Sequence, residues 1–151
     1  MTQTDIKPSY ILLIEDNPDD AELTQLAFQQ NNFANKIINL EDGEESLNFF
    51  FGEKPNGVEI NGYPVIILLD LKLPKVDGHE ILRQLKSNKA TKRIPVVILT
   101  SSKEEEDIIN GYDLGANSYV RKPVDYKEFV KTVNNLGVYW LAINQPIIHS
   151  K

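Results

Sequence analysis

The sequence predicts an α/β fold: a five-stranded parallel sheet covered by helices on both faces. Two observations carry this expectation. Short apolar runs alternate with longer amphipathic stretches along the chain, the pattern of a sheet wound with crossover helices. The first, third and fourth runs (Tyr10 to Ile14, Val65 to Leu69 and Pro95 to Leu99) are apolar without alternation, as in strands buried on both sides.

The elements follow in order. Tyr10 to Ile14 reads as a strand. Pro18 to about Asn31 reads as a helix, with Asn17 as N-cap, Pro18 at the first helical position, and Leu23, Leu26 and Ala27 on one face. Lys36 to Leu40 is a short strand and Gly43 to Phe51 a helix. Gly52 to Tyr63 reads as a loop, because Pro55, Asn56-Gly57 and Asn61-Gly62 are turn formers. After the third strand comes a helix from Gly78 to Ser87. The fourth strand leads into a helix from Ser102 to Leu114, with Ser102 and Glu105 placed for a capping box. Ser118 to Arg121 is the fifth strand, and Asp125 to about Ile143 the last helix. That makes five strands and five helices, with a loose tail after Pro146.

Composition narrows the function. The chain has 151 residues, enough for one domain with its own core. It has no cysteine, which excludes disulfides, thiolate chemistry and zinc–thiolate sites. The formal charge of −6 argues against non-specific nucleic-acid binding and against docking on an anionic membrane. No apolar run approaches the roughly 20 residues of a membrane span, and Met1 to Pro8 lacks a signal-peptide core. The expectation is a cytoplasmic protein whose partners are other proteins.

Chemistry gathers at the strand ends. The first apolar run ends in Glu15-Asp16, the third in Asp70, the fourth in Thr100-Ser101-Ser102, and the fifth leads to Lys122-Pro123. Ligands in an open parallel sheet bind at the carboxyl ends of the strands. Three acids, a hydroxyl and a lysine are therefore expected at one edge. Crowded carboxylates raise one another's pKa and need a cation to stay charged. Their oxygens suit Mg²⁺, which takes one or two carboxylates, waters and a phosphate. An aspartate carboxylate is a competent phosphoryl nucleophile, and a lysine and a hydroxyl can stabilise the transferring group.

These residues resemble the receiver domains of bacterial two-component response regulators. The resemblance runs from about Pro8 to Ile143, leaving 1–7 and 144–151 as short tails. It rests on Glu15-Asp16, Asp70 within Leu-Leu-Asp-Leu-Lys-Leu-Pro, Gly78 eight residues on, Thr100, Tyr119 and Lys122-Pro123. It implies a flavodoxin-like, doubly wound sheet of order 2-1-3-4-5. It implies that Asp70 is the phosphoacceptor and that Asp16, Asp70 and the Lys72 backbone carbonyl are Mg²⁺ ligands, with Glu15 holding the metal through water. Lys122 would pair with Asp70 and then with the phosphoryl group. Thr100 and Tyr119 would be the switch pair, Lys72 and Ser102 would tune phosphate lifetime, and the Lys122–Pro123 bond would be cis.

A narrower similarity lies in Arg93 to Ser102, Glu105 to Ile109, Tyr112 to Gly115, Arg121 to Asp125 and Val138 to Leu141. These stretches look like the single-domain regulators that partner cyanobacterial phytochrome-type histidine kinases. The implied function is a phospho-switch fed by such a kinase, acting through protein contacts and promoting only its own phosphotransfer and dephosphorylation. A downstream phosphotransfer protein is a further implied partner. No DNA-binding module is expected after the receiver, so output is expected to go through protein contacts, dimerisation or phosphate relay.

Other readings stand beside it. An aspartyl-phosphate hydrolase needs a second Asp two residues after the nucleophile, where this chain has Lys72. A receiver-like adapter that works without phosphorylation has no need of the five site residues. In the last helix, Phe129, Val133, Leu136 and Trp140 form the ordinary core face, while Val138, Tyr139, Leu141 and Ile143 add apolar surface elsewhere. That surplus points to a homodimer or kinase contact, unless the tail from Gln145 to Ile148 covers it. His79, a lone histidine beside the Asp70 loop, is expected at the surface.

Overall fold

The structure, a computed structural model, describes residues 10–30, 33, 35–102, 104–123 and 125–144. Its five strands are β1 (Tyr10–Ile14), β2 (Lys36–Leu40), β3 (Ile66–Leu69), β4 (Val96–Thr100) and β5 (Ser118–Arg121). All pair in parallel, in the order β2-β1-β3-β4-β5. This is the predicted doubly wound sheet. Its helices are α1 (Pro18–Gln30), α2 (Gly43–Phe51), α3 (Gly57–Asn61), α4 (Gly78–Ser87), α5 (Glu105–Asp113) and α6 (Tyr126–Gly137).

Alternation of side chains across the sheet sorts the core into two layers. Leu12, Ile14, Ile67, Leu69, Val96 and Ile98 face one side, under Phe50 of α2, Val58 of α3, and Ile81, Leu82 and Leu85 of α4. Ile11, Leu13, Ile66, Leu68 and Val97 face the other, under Ala21, Ala27 and Phe28 of α1 and Phe129 and Val133 of α6. Every residue of β1, β3 and β4 is buried, which is why those segments carry no polar alternation.

Five details differ from the sequence reading. First, α3 is a sixth helix inside the stretch read as a loop. Asn56 accepts from the Glu59 N–H at 3.0 Å, and its side-chain amide donates to the Phe50 carbonyl at 3.1 Å. The side-chain bonding that makes asparagine a turn former also caps a helix. Second, Leu26 of α1 is 37% exposed, and the buried stripe runs through Ala21, Thr24, Ala27 and Phe28. Third, α5 starts at Glu105, and Ser102 forms no capping box; its hydroxyl donates to Asp107 Oδ2 at 2.6 Å. Fourth, the last helix changes pitch. A π-helical turn covers Val138–Ile143, and the Asn144 N–H donates five residues back to the Tyr139 carbonyl at 2.6 Å. The wider turn brings both Trp140 and Leu141 against the core, leaving Val138, Tyr139 and Ile143 exposed. Fifth, the cis X–Pro bond among the described residues is Lys54–Pro55; Lys122–Pro123 is not cis, in keeping with the unaided trans preference of X–Pro bonds. The tail from Gln145 lies outside the described residues.

Candidate functional site

Strand register brings the predicted residues together. Ile14 pairs with Leu69, so Glu15 and Asp70 leave adjacent strands side by side. The Asp70 N–H donates to the Ile14 carbonyl at 3.0 Å, extending the ladder by one bond. On the other flank, Thr100 pairs with Arg121, and the Lys122 N–H donates to the Thr100 carbonyl at 2.7 Å. Four segments distant in sequence thus end at one edge.

The Asp70 carboxylate is nearly buried and engaged at both oxygens. Thr100 Oγ1 donates to Oδ1 at 2.8 Å. The Lys72 N–H donates to the same oxygen at 3.3 Å, a contact that fixes the turn after β3. Lys122 Nζ donates to Oδ2 at 3.2 Å. The loop beyond is pinned by Leu71, which is fully buried and whose carbonyl accepts from the Gly78 N–H at 3.0 Å. Gly78 sits so close to the Asp70 carbonyl that a Cβ there would lie 2.5 Å from it. The glycine is thus a condition of this approach.

Glu15, Asp16 and Asp70 each offer a carboxylate oxygen, all within 4.8 Å of one another. Glu15 and Asp70 are buried while Asp16 is exposed, so the cluster opens to solvent on the Asp16 side. The Glu15 carboxyl is pushed up to about 7, chiefly by burial; the hydrogen bond from Lys122 opposes this and the charge of Asp70 adds to it. Burial opposes charge on Lys122 too, but its hydrogen bond to Glu15 and the charges of Asp70 and Glu15 outweigh it and raise its pKa. The all-oxygen, net-negative donor set fits a hard divalent cation.

Tyr119 lies one strand away. Its hydroxyl donates to the Ser102 carbonyl at 3.0 Å, in the segment that follows Thr100. Its ring packs against the layer under α4.

Sequence reasoning missed two residues. Asp20, in the first turn of α1, accepts from Lys122 Nζ at 2.9 Å. Its signal was present but ambiguous: acids in a first turn are the ordinary response to the helix dipole. Asp107 gathers Ser102 and, at 3.8 Å, Lys72 Nζ. His79 is also misplaced by the sequence reading. Its side chain is only 18% exposed, set between Asp77 and the Asp107 carbonyl, because the start of α4 packs on the start of α5.

A five-stranded parallel sheet with an acid cluster, a lysine and a hydroxyl at its carboxyl edge defines one class of protein. Residues 11–134 match the family model of the response regulator receiver domain, and the chain belongs to that family. Among curated relatives, the response regulator Rcp1 from Synechocystis sp. is 39% identical over 134 residues, covering 89% of this chain and 90% of the relative. A probable methanogenesis regulatory protein, FilR2, from Methanothrix harundinacea is 39% identical over 138 residues, 91% of this chain and 87% of the relative.

The solved Mn²⁺-bound form of Rcp1 superimposes with a TM-score of 0.86 at 37% identity, over 93% of this chain and 100% of that one. The phosphorylated cyanobacterial phytochrome response regulator RcpA gives 0.83 at 34% identity, over 93% and 99%. The chain is therefore a signalling protein of the phosphorylation-dependent switch type, homologous to phytochrome response regulators. The phosphorylation-independent adapter is not favoured. No helix among the described residues is long and apolar enough to cross a membrane.

Proposed function

We propose that Asp70 accepts a phosphoryl group from a histidine kinase of the phytochrome type, and that Thr100 and Tyr119 convert the modification into a change of surface. One observation carries the reading: Thr100 Oγ1 and Lys122 Nζ converge on opposite oxygens of the same carboxylate, at 2.8 and 3.2 Å. An Asp70 oxygen attacks phosphorus, an O–P bond forms and the N–P bond to the kinase histidine breaks. Lys122 is already charged and close enough to stabilise the anionic phosphoryl oxygens. Thr100, whose donor is spent on Oδ1 at rest, can turn its hydroxyl to the new phosphoryl oxygen. That movement frees the space into which the Tyr119 ring can shift.

Glu15, Asp16, Asp70 and the Lys72 carbonyl would hold Mg²⁺, with Glu15 acting through water. When bound there, the ion supplies neutralising charge for the transferring group. Asp70 repels Glu15 and Lys122 offsets part of that repulsion, a role a bound cation would share. The protein promotes its own phosphotransfer and dephosphorylation and nothing further. The receiver spans 8–143, flanked by the tails 1–7 and 144–151, and works in the cytoplasm. Its outputs are protein contacts: a downstream phosphotransfer protein, and a homodimer through the last helix, where Val138, Tyr139 and Ile143 are exposed.

The test is a Phos-tag gel after incubation with acetyl phosphate and Mg²⁺. Wild type shifts and Asp70→Asn does not, with both equally folded by circular dichroism. Labelling of the variant at the wild-type rate removes Asp70 from the role. No labelling of wild type revives the adapter reading. Phosphotransfer profiling against phytochrome-type kinases then tests the partner.

A further inference from the structure

Three carboxylates share one ammonium. Lys122 Nζ meets Glu15, Asp20 Oδ2 at 2.9 Å and Asp70 Oδ2 at 3.2 Å. An ammonium has three N–H donors, so each can be taken by a carboxylate from a different segment: the end of β1, the first turn of α1 and the end of β3. The three acids are not equivalent. Glu15 and Asp70 also belong to the carboxylate cluster that would hold a cation, and Asp20 does not. The proposed reaction therefore draws two of the lysine's three partners to other work.

Asp20 is well placed to be the partner that stays. Its backbone is fixed on both sides of Cα: its N–H donates to Asn17 Oδ1 at 3.1 Å, and its carbonyl accepts from Thr24 Oγ1 at 2.9 Å. Its side chain is 35% exposed, against 3% for Glu15 and 10% for Asp70, so it meets the lysine from the solvent side. The neighbouring Asp19 has the same charge on the same turn and makes no ion pair among the described residues.

We propose that Asp20 is a positioning residue for phosphoryl transfer: it tethers Lys122 beside Asp70 while Glu15 and Asp70 are occupied elsewhere. Without it, a cation that engages Glu15 leaves the ammonium with no fixed partner, and the side chain swings off the phosphoryl position. The proposal rests on the phosphoacceptor reading above.

The test uses the full chain with acetyl phosphate as donor. Labelling is timed on Phos-tag gels across a Mg²⁺ titration for wild type, Asp20→Ala, Asp20→Asn, Asp20→Glu and Asp19→Ala. Asp20→Ala lowers the maximal rate at saturating Mg²⁺ by about fivefold, the size of one partly exposed ion pair. Its half-saturating Mg²⁺ concentration stays within about twofold of wild type, since Asp20 lies outside the cation cluster. Asp20→Asn, which keeps the shape without the charge, falls between. Asp20→Glu recovers part of the loss, and Asp19→Ala labels as wild type.

The proposal is overturned if Asp20→Ala and Asp20→Asn both match wild type at saturating Mg²⁺. It is overturned equally if Asp19→Ala shows the same loss, which is a general charge effect, or if the loss is recovered entirely by more Mg²⁺, which makes Asp20 part of the cation site. Failure of wild type to label is a different outcome and sinks the underlying reading instead.

Discussion

Gly78 offers a sharp test of how the fold aims Asp70. In Gly78→Ala, the new Cβ would lie 2.5 Å from the Asp70 carbonyl oxygen, 2.6 Å from Leu71 Cα and 3.0 Å from the Leu71 carbonyl oxygen. Ordinary contacts begin near 3.5 Å, so about 1 Å of movement is required. All three obstacles are main chain, and no rotamer change relieves them. Either α4 retreats, stretching the 3.0 Å bond from the Gly78 N–H to Leu71, or the end of β3 shifts and takes Asp70 with it. Overpacking of this kind costs about 1–3 kcal/mol, and the higher helix propensity of alanine returns up to about 1 kcal/mol. A net loss of about 1–2 kcal/mol corresponds to a fall of roughly 2–8 °C in Tm for a domain of this size. The protein stays folded at room temperature. A nucleophile misplaced by about 1 Å can nonetheless lose on the order of 10²-fold in rate. Thermal melting by circular dichroism and Phos-tag labelling with acetyl phosphate measure the two effects. A variant that melts and labels as wild type would show that the close approach of Gly78 to Asp70 does not govern the site.

The raised pKa of Glu15 predicts a pH dependence of the cation-free protein. Between about pH 4.5 and 7 the folded state keeps a proton that the unfolded chain has released, so the stability it contributes is complete below pH 4.5 and lost as pH rises through 7. In chelator, the urea midpoint of wild type should fall relative to that of Glu15→Gln between pH 5 and pH 8; a constant gap between the two proteins rejects the shift. For the proposed homodimer, Ile143→Asp places a charge on an exposed apolar side chain that makes no core contact, and sedimentation velocity should show weaker self-association at unchanged fold. Unaltered sedimentation of that variant removes the π-helical turn from the interface.

What could be read from the sequence follows from what each signal depends on. β1, β3 and β4 declared themselves because a strand buried on both faces has no room for polar alternation, and Glu15, Asp16, Asp70 and Thr100 close or follow those runs; Lys122 follows β5, which is only partly buried, and was placed by its position after the fifth strand. A parallel sheet delivers the ends of its strands to one edge whatever lies between them, so the juxtaposition was legible without any distance. The short helix α3 was hidden because one asparagine serves equally as turn former and N-cap, and only the burial of Val58 and the reach of Asn56 to Phe50 decide between them. The π-helical turn was hidden for a related reason: Leu136, Trp140 and Leu141 all pack inward, and a regular 3.6-residue period places only part of that set on one face.

Asp20 is the most instructive miss. Linear sequence assigns a first-turn acid to the helix dipole, an explanation sufficient in itself, and nothing along the chain says that a lysine more than a hundred residues away ends 2.9 Å from its oxygen. Pairings that depend on how far a flexible side chain reaches, and not on which strand it leaves, require coordinates. The gathering of acids, hydroxyl and lysine at one sheet edge was therefore readable from the strands, whereas the contact between that lysine and Asp20 was not.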